Sequence, residues 1–386
     1  MLRVFGVLVV LWASAATAEV SVAIHYLRQE VEIPPTLSGL DPIPQDEGLR
    51  GAELALADNA TTGQFLGHAY TLAATSVAPD GDVLAAARAA LAETGLLVLD
   101  APAATLLAVA DLPEAQGALI FNAGAEDEAL RSEDCRANVL HAAPSLTMRT
   151  DALMQFLVQR RWTTTALIAG TLPEDLAYAE ALRRSAAKFQ IRIAGEKTWA
   201  FDADMRRNAS QEVPLFTQDL PPHDVLLVAD EWGDFARYVM FNTWEPKLVA
   251  GSEGMSPVGW SPVLEQWGAA QLQNRFAALA GRGMRPRDYA AWAAVRSIGE
   301  AVTRTGSADV ATLRAFLLSD GFELAGFKGR PMTYRAWNGQ LRQPIPIVHP
   351  RALIAMAPLE GFLHQRSELD TLGLDEPESA CTAFGG

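Results

Sequence analysis

The sequence is short of cysteine, of basic residues and of long apolar runs, and each shortage removes a class of function. Only two cysteines occur in 386 residues, Cys135 and Cys381, with no CxxC pair, which argues against a cysteine-ligated zinc module or a thioredoxin-type redox site. Lys and Arg together number 31 against 46 Asp and Glu, a formal net charge of −15 at pH 7. A surface of that sign repels phosphate backbones and anionic lipid, so nucleic acid is not an expected partner. No uninterrupted apolar run reaches the roughly 18–20 residues that span a bilayer. The histidines, His25, His68, His141, His223, His349 and His364, are scattered, with none paired at i, i+4. Phosphate-binding loop, dinucleotide fingerprint, zincin, nucleophile-elbow and EF-hand spacings are all missing, so neither cofactor nor metal is expected. A catalytic triad assembled from distant residues stays open at this stage.

What is present begins with a leader. Arg3 supplies a positive start, Val4 to Ala13 an apolar run and Ala16-Thr17-Ala18 a small-residue cleavage site, the pattern of a secretory signal over 1–18 with a mature start at Glu19. In an exported chain two cysteines read most simply as one disulfide between Cys135 and Cys381, with two free buried thiols as the alternative. The product is then expected to be soluble and periplasmic.

The length suits two domains. Val20 to Leu27 reads as a strand, Asp46 to Ala60 as a helix, His68 to Val77 as a strand and Asp82 to Glu93 as a helix. Leu96 to Leu99 and Ala118 to Phe121 follow as apolar strands around a short helix, Ala103 to Ala110. This alternation implies a parallel sheet covered by helices. From Asn138 to Gly170 the chain reads strand, cap, helix, strand without a linker. Ser145 or Thr147 caps a helix whose Leu153, Met154, Leu157 and Val158 share one face, and Thr164 to Ala169 is the next strand. The alternation then restarts: helix Glu174 to Phe189, extended Ile191 to Phe201, strand Asp224 to Ala229, helix Glu231 to Phe241, strand Lys247 to Ala250. Glu265 to Leu318 is helical, with an apolar stripe of Ala290, Trp292, Ala293, Val295 and Ile298 that must pack on an existing sheet. Beyond Phe322 come short strands, a hairpin signal at Asn338-Gly339, strands at Ile345 to Val348 and Leu353 to Met356, and an acidic tail after Gly373.

Polar residues cluster directly after predicted strands: Asp100; Asn122 to Glu126; Asp230-Glu231-Trp232; Ser252-Glu253-Gly254. Ligands of open parallel sheets bind outside the carboxyl ends of the strands, so these four loops mark a candidate cleft. For any one of them the plainer alternative is a solvated loop or a helix cap.

The order of elements, the segment APSLTMRTDALMQFLVQRRWTTTALIAG and the GSEG turn resemble the periplasmic substrate-binding proteins of branched-chain amino acid type ABC importers. More narrowly, RRWTTTALIAG, VADEWGDFARY, RDYAAWAAVRSIGEAV, FKGRPMTYRAWNGQLRQPI and GFLHQRSELDTLGLDEPESAC are similar to the subfamily associated with PQQ-dependent alcohol oxidation systems. The resemblance implies an α/β fold of two Rossmann-like lobes joined by three crossovers, near Ser145, Gly251 and Leu341, the type I periplasmic binding protein fold. Lobe 1 would take 19–145 plus 252–340, and lobe 2 would take 146–251 plus 341–386 with a disulfide-tethered tail. It also implies a monomer without enzymatic activity that hands a small solute to a permease and ATPase in the inner membrane.

Carried over by position, the ligand-binding set is Asp100, Ala101, Asn122, Ala123, Gly124, Asp230, Glu231, Trp232 and Glu253. In amino-acid binders the loops matching Asp100 to Thr105 and Asn122 to Ala125 present hydroxyls and N–H groups to a carboxylate; here the first reads DAPAAT. Leu172-Pro173 stands where a tyrosine is usual, while Glu253 matches the acid that holds the ligand ammonium. With four acids and no Lys or Arg within those short loops, the expectation is a neutral or cationic solute, with Trp232, Trp244 and Trp260 as a possible aromatic wall. Arg149 or Arg335, reaching in from elsewhere, would reverse that sign. Two alternatives remain: a ligand-poor interaction protein of a dehydrogenase system, and a periplasmic hydrolase using Asp230 or Glu231.

Overall fold

A computed structural model describes residues 20–34, 42–200 and 205–384; the leader expected at 1–18 and the start at Glu19 lie outside the described residues. Two parallel sheets organise it. The first is formed by β1 (Val20–Gln29), β2 (His68–Val77), β3 (Leu96–Asp100), β4 (Leu119–Asn122) and β5 (Val139–His141), in the order β2-β1-β3-β4-β5. Its crossovers carry α1 (Leu49–Leu66), α2 (Val83–Glu93) and α3 (Ala103–Ala110). The second follows α4 (Leu146–Gln159) and contains β6 (Thr164–Ala169), β7 (Arg192–Thr198), β8 (Val225–Ala229) and β9 (Leu248–Gly251), in the order β7-β6-β8-β9. Between these strands run α5 (Pro173–Lys188), α6 (Met205–Thr217) and α7 (Ala236–Asn242). The central strands are apolar on both faces because helices cover both: Leu96 to Asp100 in β3 and Val225 to Ala229 in β8 are buried without interruption.

Ser145 is the N-cap of α4; its hydroxyl accepts from the Met148 N–H at 3.2 Å, satisfying a donor that the first turn leaves orphaned. α4 is buried nearly all round because it is wedged between α5 on one side and the last strands on the other. After β10 (Ser256–Pro257) come α8 (Ala269–Ala280), α9 (Pro286–Thr305) and α10 (Val310–Leu317). The α9 stripe from Ala290 to Ile298 enters the same core as Val22, Ile24 and Val98 of the first sheet. α9 lies so close to α1 that a Cβ on Gly51 would stand 1.8 Å from the Asp288 carbonyl oxygen. Short antiparallel ladders finish the chain: β11 (Leu324–Ala325), β12 (Pro331–Tyr334) and β13 (Leu341–Arg342), then β14 (Ile345–His349) and β15 (Ala352–Ala357), with β10 pairing to β14. Gly339, at φ 70°, turns β12 back into β13.

The tail is fastened at many points. Asp370, fully buried, accepts from Arg335 and Arg342 at 2.8 Å each, while Arg335 also donates to the Leu372 and Leu374 carbonyls. Gly373 N–H donates to Asp151 of α4, and Lys188 of α5 bonds both Asp151 and the Gly373 carbonyl. Cys381 is disulfide-bonded to Cys135, beyond the last residues of the first sheet's β4 loop.

One local expectation needs correction. The helix expected from Glu231 begins at Ala236, because Asp230 and the positive-φ Gly233 hold 230–235 in a loop. α6 carries Pro214 inside it. The helical region from Glu265 consists of three helices, separated by loops at Gly281 and Gly306, both left-handed helix ends.

Candidate functional site

The order of the first sheet reverses between β1 and β3, that of the second between β6 and β8. A crevice forms at such a switch point because the two loops leave toward opposite faces. Here both crevices open into one cleft of about 500 Å³. The first sheet supplies Arg28 at the end of β1, Ala101 to Ala103 after β3 and Ala123 to Asp127 after β4. The second supplies Pro173 and Glu174 at the start of α5, and Glu231 and Trp232 after β8. Ala143, Pro144, Val258 and Gly259, where the chain passes between the sheets, form its floor, and Arg149 of α4 stands beside them.

The nine residues expected to bind ligand divide. Ala101, Ala123, Gly124, Glu231 and Trp232 line the cleft; Asp100, Asn122, Asp230 and Glu253 do not. Asn122 and Asp100 are the last residues of their strands and are buried behind the surface. Asn122 Oδ1 accepts from the Gly124 and Ala125 N–H groups, at 3.1 and 2.9 Å, so this loop spends its backbone donors on itself. Asp230 accepts from the Asp234, Phe235 and Ala236 N–H groups and caps the approach to α7. Glu253 is half-exposed outside the cleft. Trp260 is buried, stacked on Tyr289 at 4.4 Å, and Trp244 is an exposed residue at a separate small hollow near His223. Of the three tryptophans, only Trp232 faces the cleft.

The absence of basic residues from the loops does not carry over into space. Arg287, from the first turn of α9, donates to Asp100 Oδ1 at 2.7 Å, and Arg28 lies 3.8 Å from the other oxygen. Arg285 pairs with Glu47 at 2.9 Å. Arg149 Nη1 reaches Glu126 at 2.6 Å and Glu231 at 2.8 Å. The inferred cluster of uncompensated carboxylates is therefore wrong, and with it the argument for a neutral or cationic solute. Arg149 does reach in; Arg335 stays buried against the tail. The missed arginines lie far along the chain from the loops they neutralise, and the one local signal was Arg-Pro-Arg at 285–287, where Pro286 starts a helix and sets its neighbours on the first turn.

Electrostatics follow burial. Burial lowers the Arg149 guanidinium's hold on its proton, but Glu126 and Glu231 outweigh it and keep the group well above its ordinary range. Burial pushes Glu47 up against the opposing pull of Arg285. Asp175, whose oxygens take the Glu231 and Leu172 N–H groups, is pushed up to about 7 by burial, with the Asp230 charge adding to the effect. Asp230 is occupied by three N–H groups, and Glu231 is held by Arg149 and Ser252. Among the described residues no helix is long and apolar enough to cross a membrane.

Two parallel sheets facing each other across a cleft at their switch points constitute the type I periplasmic binding protein fold. Solved structures similar to the chain include a periplasmic binding protein from Burkholderia mallei, at 16% identity and TM-score 0.67, covering 94% of this chain and 99% of that one. A branched-chain amino acid ABC transporter periplasmic ligand-binding protein from Burkholderia xenovorans LB400 gives 16% and 0.66, over 87% and 95%. A solute-binding protein of an ABC transporter from R. palustris, in complex with benzoate, gives 12% and 0.64, over 94% and 99%. No family model and no curated protein sequence matches the chain.

Proposed function

We propose that this protein is a periplasmic, monomeric, non-enzymatic solute-binding component of an ABC importer, closing on a small solute and passing it to the permease and ATPase. The observation that supports this reading most is the single cleft of about 500 Å³ with one wall from each switch point. The lobes are 19–145 plus 252–340 and 146–251 plus 341–386, the hinge lying where the chain passes near Ser145, Gly251 and Leu341. Trp232 favours a flat or aromatic body, consistent with the benzoate named for one structural neighbour. The link to PQQ-dependent alcohol oxidation rests on the resemblance of the segments from RRWTTTALIAG to GFLHQRSELDTLGLDEPESAC. Small-angle scattering of the exported protein, titrated with aromatic alcohols, acids and amines and with leucine, tests the function: a solute that binds should contract the radius of gyration. The alanine and proline lining after β3 favours a second reading, a ligand-poor interaction protein of a dehydrogenase system, which an unchanged radius with every solute would support.

A further inference from the structure

We propose that Arg287 anchors the solute and that the solute is a small apolar monocarboxylate, its acid group meeting the free edge of the Arg287 guanidinium and its body lying along Ala101, Pro102 and Ala103 toward Trp232. This rests on the solute-binding reading above and gives it a ligand class.

Its basis is the setting of Arg287 in the cleft. Arg287 lines the cleft with its side chain 40% exposed, and among the described residues its hydrogen-bond partner is Asp100, taken through Nη1. Asp100 is itself buried, and Tyr26 donates to its other oxygen at 3.2 Å. The guanidinium is thus held by one corner, and among the described residues Nε and Nη2 have no hydrogen-bond partner. A guanidinium edge with two parallel N–H groups matches the two oxygens of a carboxylate.

Three arginines meet at this corner of the cleft. Arg28, Arg285 and Arg287 face two carboxylates, Asp100 and Glu47, in direct ion pairs. Burial also biases Glu47 toward its neutral form. A guanidinium edge beside a wall of alanine and proline suits one negative group on an otherwise apolar molecule. The competing anion cradle is closed, because Asn122 occupies the Gly124 and Ala125 N–H groups. A dianion is disfavoured by Asp127 and Glu174, which line the same cleft without an ion pair among the described residues.

The experiment is calorimetry on the exported, disulfide-bonded protein with three probes of equal ring size: benzoate, benzyl alcohol and benzylamine. Benzoate should bind tightest. Arg287→Gln should weaken benzoate by about ten- to a hundredfold, the range of a charge-assisted hydrogen bond, and leave the alcohol unchanged. Arg287→Lys, which keeps the charge beside Asp100 and the fold with it, should recover part of the loss. Benzoate bound no tighter than the alcohol, or equally by wild type and Arg287→Gln, overturns the proposal. If the alcohol or amine binds and benzoate does not, the ligand class falls and the solute-binding function stands. If none of the three binds and none contracts the protein in scattering, both fall.

Discussion

Arg149 and Glu231 meet fork to fork, Nη1 to Oε2 at 2.8 Å and Nη2 to Oε1 at 3.2 Å, and the same Nη1 also holds Glu126. Glu126 belongs to a loop of the first sheet and Glu231 to a loop of the second, so one side chain ties both walls of the cleft. Arg149→Met should leave two facing carboxylates unpaired and cost about 2–3 kcal/mol, somewhat under a fully buried pair because both acids keep some water contact. Urea unfolding measures the cost. Scattering on the same variant should show a wider apo cleft, and a radius identical to wild type would show that the contact does not restrain opening.

A second expectation concerns pH. Asp151 is raised to about 6 and Asp175 to about 7, in both cases first by burial, against an unfolded value near 3.8. The folded state therefore holds these protons more tightly than the unfolded one. Their stabilising contribution is fully present below about pH 3.8 and is lost as pH rises toward 7. Unfolding midpoints of Asp175→Asn and wild type should differ most in slope between pH 4 and 7, the wild type falling more steeply with rising pH. Parallel curves would refute this.

Asp370 is buried, and Arg335 and Arg342 both donate to its Oδ1. Asp370→Asn should leave Arg335 and Arg342 without their counter-charge and cost about 3–5 kcal/mol, as breaking a buried pair does. Thermal unfolding tests this. A loss below 1 kcal/mol would mean that the tail carbonyls around Arg335 suffice.

The Cys135–Cys381 bond spans 246 residues. In the chain-entropy account its removal, as Cys135→Ser with Cys381→Ser, should cost roughly 5 kcal/mol. Calorimetry should show a lower midpoint in the double variant, and an intact mass two hydrogens below the reduced form should confirm the bond in wild type.

How far the sequence discloses this molecule depends on whether the signal is local. β6 and α3 are found at the bounds that their apolar pattern predicts, and Ser145 caps α4 as a serine before an apolar stripe should. The start of α7 was misplaced because Asp230, read as a ligand group, takes the very N–H groups that a helix beginning at Glu231 would use. The sign of the cleft was misread for a different reason. Arg28 and Arg287 are 259 positions apart and meet at Asp100 through tertiary packing, so no window of sequence contains both. Charge within loops is legible; charge brought to loops by other elements is not.

The packing of α9 on α1 sets an order of events for the chain. Gly51 admits the Asp288 carbonyl, and Gly299 leaves no room for a Cβ beside the Asn59 side chain, so two helices separated by more than two hundred residues share one seam. The first sheet, complete in sequence by His141, keeps an apolar face uncovered until residues near 302 have been added. During synthesis that face waits through the whole of the second sheet, and contacts of such long sequence separation form slowly. The N-terminal half alone should therefore be sticky and incompletely folded. Fragments that end before α9 are poor candidates for independent expression, because the core on that face of the first sheet is completed only when α9 has been added.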